Sequence, residues 1–146
     1  MAMKRLMVVA VLLLAACATS TSTPGEPNAD VLLKLDREFA KQSAARGALA
    51  WQEIMAPNAA KPANGGRWLM GPQEIGDNMK SAFDSGFTLA WEPTRAGISR
   101  GGKLGYTWGR YHSVFSGTAR EGTYMTAWQK QPDGSWKVLF DTGDPD

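Results

Sequence analysis

The sequence predicts an α+β domain in which N-terminal helices pack on one face of an antiparallel sheet. Before Phe87, three segments carry apolar residues at helical spacing. From Phe87 onward, segments rich in Thr, Tyr, Trp, Phe and Val alternate with turn sequences. Helices and strands that segregate along a chain, rather than alternating, give this class. The 6 Trp, 3 Tyr and 5 Phe all follow residue 38, so the front of the 146-residue chain differs in kind from its body.

The front is an address. Lys4-Arg5 precede an apolar run from Leu6 to Ala16. A membrane-spanning helix needs about 20 such residues, so residues 1–16 fit a secretory leader instead. Leu14-Ala15-Ala16-Cys17 resembles the bacterial lipobox, which implies that Cys17 is lipidated and heads the mature chain. Residues 17–29 then hold the lipidated Cys and a small, polar, Pro- and Gly-containing tether. The residue after Cys17 is Ala18 rather than the Asp that favours inner-membrane retention, which implies the outer membrane, facing the periplasm. The expected partner at this end is the membrane, reached through Cys17.

Export removes Lys4 and Arg5 and no acid, so the 16 basic residues fall to the number of acidic ones, 14. A neutral mature chain gives a nucleic-acid partner no electrostatic footing. The single Cys excludes an internal disulfide framework, and one His with one Cys supplies no metal-ligand set.

The domain occupies residues 30–146. Leu32, Leu35 and Phe39 mark a helix over 31–46, with Asp36, Arg37, Glu38 and Lys41 assigned to other faces, Asp30 as N-cap and Gly47 after the last turn. A short helix over 48–55 places Ala48, Trp51, Ile54 and Met55 together. Pro57 and residues 58–66 are expected to break regular structure. Residues 67–70 read as a brief strand. Gly71-Pro72 opens a third helix with Ile75, Met79 and Phe83 inward. Strands are expected near 87–98, 103–116, 122–131 and 135–142, separated by Ser-Arg-Gly-Gly, by residues 117–122 and by Pro-Asp-Gly-Ser.

Four pieces carry a family resemblance: Leu35-Asp-Arg-Glu-Phe39, Gly71-Pro72 with Ile75, Gly105-Tyr-Thr-Trp-Gly-Arg-Tyr111, and the stretch from Gly122 to Asp141. In order and spacing they resemble the SnoaL-like and DUF4440 branch of the NTF2-like superfamily over residues 30–146. The resemblance implies a cystatin-like cone, with a curved sheet wrapped around the helices and a pocket at its open end. It also implies a homodimer paired through the sheet. It leaves function open, because the superfamily includes isomerases, cyclases, dehydratases and proteins without activity.

Strand alternation groups Tyr106, Trp108, Arg110 and His112 on one face of their strand, without saying which face is concave. One reading places Tyr106, Trp108 and Arg110 in the cone with Trp51, Met55 and Trp91, as an aromatic wall with one guanidinium. Such a wall suits a small, partly apolar ligand bearing an acidic or carbonyl group. The bland reading makes these aromatics core and dimer interface. Ketosteroid isomerase-like members place a carboxylate base just after the second helix, and here no Asp or Glu lies between Glu53 and Glu74. That tilts the reading away from an enzyme. The alternative is an isomerase, dehydratase or hydrolase using His112 and Asp141 as catalytic candidates with Arg110. For Asp141 a turn-capping role is the favoured reading over a pocket carboxylate. The expected function is therefore a lipid-anchored periplasmic domain that binds a small ligand or pairs with a protein, with no cofactor and no metal.

Overall fold

A computed structural model describes residues 28–146. The leader at 1–16, Cys17 and the tether up to residue 27 lie outside the described residues. The elements run α1 (Asp30–Arg46), α2 (Ala48–Ile54), β1 (Met55–Pro62), β2 (Trp68–Met70), α3 (Gly71–Asp84), β3 (Thr88–Ile98), β4 (Leu104–Phe115), β5 (Thr118–Lys130) and β6 (Trp136–Pro145). One sheet holds the strands in the order β2-β1-β6-β5-β4-β3. Its neighbours are antiparallel except β1 and β6, which run parallel. The helices pack on one face of this curved sheet.

Helix α1 buries Leu32, Asp36, Phe39 and Ser43. These recur at the four- and three-residue steps of one helical face. Asp36 thus lies on the core side, not among the solvent-facing charges. Asp30 is not the cap: Ala29 holds that position without a side-chain cap, and the Asp30 backbone N–H donates to the Asn28 side chain at 2.9 Å. Gly47 takes φ +58 between α1 and α2, the left-handed region that glycine enters without strain.

Residues 58–66 were expected to be irregular, yet much of that run belongs to β1, inside the sheet. Its ladder to β6 registers only at Met55–Val138 and Ala60–Phe140, with an irregularity between them. Pro57 falls in that gap, where a missing N–H breaks no ladder bond. The β4–β5 turn is also shorter than expected. Ser116 and Gly117, at φ +49 and +77, join the paired residues Phe115 and Thr118 as a two-residue hairpin. Arg120 and Glu121 therefore belong to β5.

Two further irregularities set side-chain directions. On β6, Val138 pairs with Trp128 and Phe140 with Ala127, so Leu139 is an extra residue. That bulge turns both Val138 and Asp141 inward, where strict alternation would oppose them. On β3, the register shifts between Pro93 and Arg95, opposite Gly109. A Cβ on Gly109 would sit 2.0 Å from the Glu92 carbonyl oxygen. Gly109→Ala should therefore lower stability by about 1–3 kcal/mol through overpacking, measured as a shift in the denaturant midpoint.

The core joins Leu32 and Phe39 to Trp51, Ile75, Trp128 and Val138. Phe39, Trp51 and Trp91 meet edge to face, with centroids 4.9, 5.0 and 6.0 Å apart.

Candidate functional site

Cross-strand partners share a sheet face, so burial sorts the residues. On β4, Thr107, Gly109 and Ser113 are buried toward the helices, while Tyr106 and Trp108 are 46% and 45% exposed on the other side. On β5, Tyr124, Thr126 and Trp128 turn inward and Met125 outward.

The helix-side face lines an open-mouthed cavity of about 740 Å³. Trp51, Phe87, Leu89, Trp91, Tyr111 and Tyr124 supply its apolar wall. Phe115, Thr118 and Arg120 lie at its exposed mouth. Deep inside stands one ion pair. Lys61, from β1, donates to Asp141 Oδ1 at 2.5 Å, with the two side chains only 17% and 11% exposed. Thr126 donates to the other carboxylate oxygen at 3.0 Å. The Lys61 ammonium also lies 5.2 Å from the centre of the Trp51 ring, within cation–π range. Charge, hydrogen bond and aromatic face together fix the amine at the cavity wall.

A second polar cluster stands behind the wall. Asp36 Oδ1 accepts the Trp91 indole N–H at 2.7 Å, and Oδ2 accepts the Tyr124 hydroxyl at 2.8 Å. Beside it, Thr107 accepts the Trp128 indole N–H at 2.9 Å. Burial pushes the Asp36 carboxyl above its ordinary value of 3.8, against the opposing pull of these hydrogen bonds, and the charge of Asp141 adds to the rise. Burial, then the Asp36 charge, holds the Tyr124 phenol well above its usual range. Asp36 thus anchors two rings of the cavity, one from β3 and one from β5.

Of the residues expected to line the cone, Trp51 and Trp91 do so. Met55 is a core residue, 3% exposed and packed with Trp51 and Val138. Tyr106, Trp108 and Arg110 do not join the wall, because the sheet presents odd-numbered β4 residues to the helices and even-numbered ones to the outer face. Arg110 pairs with Asp146 and with Glu121, at 2.5 and 3.7 Å, instead of Asp141. His112 lies 3.6 Å from Glu121 on the same outer face. His112, Arg110 and Asp141 are therefore not brought together. Asp141 is no turn cap either, since it is a buried strand residue bonded to Lys61 and Thr126. The stretch between Glu53 and Glu74 holds no carboxylate, and the side chain that enters the cavity from β1 is Lys61.

No protein-family model matches the chain, and no curated protein is significantly similar to it. Solved structures do match. A domain of unknown function with a cystatin-like fold from Nostoc punctiforme superposes with TM-score 0.67 at 15% identity, covering 86% of this chain and 80% of that one. An NTF2-like protein with a cystatin-like fold from Novosphingobium aromaticivorans gives 0.61 at 14% identity, over 78% of this chain and 79% of that one. The fold is NTF2-like. A ketosteroid isomerase-like protein from Erwinia carotovora shares the architecture, with TM-score 0.63, 14% identity and coverage of 79% and 94%. Likeness at these identities carries the NTF2-like fold and no activity.

Proposed function

We propose that this chain is a lipid-anchored envelope protein of the SnoaL-like type that binds a small, partly apolar ligand in the helix-side cavity. The observation that carries the reading is a cavity walled by aromatic rings that holds one buried ion pair, so that apolar surface and convergent polar groups meet in one concave site. The enzyme alternative asks His112, Arg110 and Asp141 to share a site, and they lie on different faces of the sheet. Cys17 and the tether would hold the domain at the periplasmic side of the outer membrane.

The outer sheet face supports a homodimer. Tyr106, Trp108 and Met125 are exposed there, and Trp68 meets Phe140 at 6.0 Å between ring centres. A contiguous apolar face of this kind is an association surface. In the protein purified without denaturant, Trp108→Glu combined with Met125→Glu should convert a dimer into a monomer by sedimentation velocity. A dimer that survives both charges would place the interface elsewhere.

Native mass spectrometry of the purified protein tests the binding reading. A retained small-molecule adduct is expected, lost when Leu89→Trp fills the cavity and kept in Trp108→Ala. An adduct indifferent to Leu89→Trp and sensitive to Trp108→Ala would overturn it.

A further inference from the structure

We infer that the cavity selects a neutral molecule carrying a hydrogen-bond-accepting oxygen, such as a ketone or lactone carbonyl, over an acid of the same shape. This deepens the binding reading and rests on it. An ammonium group has three N–H donors and no acceptor. Lys61 gives one to Asp141, and among the described residues no other protein acceptor lies within hydrogen-bond distance of its nitrogen. The remaining donors belong to a side chain that lines the cavity, so a bound ligand can meet them with an oxygen.

The sign of charge that the site accepts follows from the same pair. Asp141 neutralises Lys61 at 2.5 Å, so the deep cavity carries no net charge from the pair. A carboxylate placed on the free face of Lys61 would lie near the Asp141 carboxylate, itself largely buried, and the two like charges would repel. A carbonyl oxygen accepts the same N–H without that repulsion. The nearby Asp36 carboxylate adds no cation to offset an acid. Arg120 is the competing cation, and it stands exposed at the mouth. The flat rings of Trp51, Trp91 and Tyr111 favour a planar body behind the carbonyl.

Three naphthalenes of matched shape test this: 2-acetylnaphthalene, 2-naphthoate and 2-ethylnaphthalene, titrated into the full chain and followed by tryptophan fluorescence. A hydrogen bond from a charged donor predicts that the ketone binds at least about tenfold tighter than the ethyl compound. The ketone should also bind at least about tenfold tighter than the acid. In the double variant Lys61→Met with Asp141→Leu, which replaces the pair by apolar side chains of similar size, the ketone should lose its advantage over the ethyl compound. The double variant keeps the test valid if Lys61→Met alone fails to fold. Equal affinity for ketone and ethyl compound would overturn the inference and leave the cavity a binding site. Tighter binding of 2-naphthoate, abolished by Arg120→Ala, would overturn it in favour of acid recognition at the mouth. Binding of none of the three would overturn the inference together with the reading beneath it.

Discussion

Asp36→Ala should cost about 3 kcal/mol of stability or more. The substitution removes the acceptor of the Trp91 indole and the Tyr124 hydroxyl. Each buried donor left without a partner costs about 1–3 kcal/mol, and the two losses do not simply add. The effect should reach the cavity as well, because Trp91 and Tyr124 both line it. Asp36→Asn should be milder. Its amide oxygen can accept from the Trp91 indole, and the Tyr124 hydroxyl can turn to accept from its nitrogen. Urea denaturation of both variants measures the difference.

The same residue gives a pH dependence of defined sign. Its folded value is raised above the ordinary 3.8, so the native state holds this proton more tightly than the unfolded chain. The stabilisation from protonated Asp36 is complete below 3.8 and is lost as pH rises through the higher folded value. The stability of the natural protein relative to Asp36→Asn should therefore fall with rising pH across the weakly acidic range. A relative stability that rises there would reverse the assignment.

Asp36 also shows what the sequence made legible and what it hid. It lies four residues after Leu32 and three before Phe39, on the apolar stripe that marked the helix. Its charge argued for solvent, and the donors from β3 and β5 are what make burial tolerable. Those partners are distant in sequence. The helices and the four long strands were legible because periodicity and turn residues are local signals. Strand β1 was not, because Pro57, Asn58 and Pro62 read as breakers and its pairing depends on β6, some 80 positions later. Hiding β1 hid Lys61, the buried cation of the cavity wall. The face of β4 was undecidable from alternation, since both faces of that strand carry aromatics. The Leu139 bulge, invisible to a period of two, is what brings Asp141 to Lys61.

Lys61→Met should be nearly as disruptive as Asp36→Ala. It strips the partner from a carboxylate that is 11% exposed, and breaking such a pair from one side costs about 3–5 kcal/mol. The double variant Lys61→Met with Asp141→Leu should recover much of that loss, because no uncompensated charge remains. Thermal melting of the two variants checks both statements. A single variant as stable as the natural protein would mean that water, not Lys61, balances Asp141.

The six tryptophans divide in a way that permits a direct test of the cavity. Trp51 and Trp91 line it, with indole N–H groups held by Ser43 and Asp36. Trp68 and Trp108 stand exposed, Trp108 on the outer sheet face. Indole N–H resonances, assigned by single Trp→Phe substitutions, can be followed by two-dimensional NMR as 2-acetylnaphthalene is added. Binding in the cavity predicts shifts at Trp51 and Trp91 while Trp68 and Trp108 stay in place. Shifts confined to Trp68 and Trp108 would contradict it and put the binding surface on the outer face of the sheet.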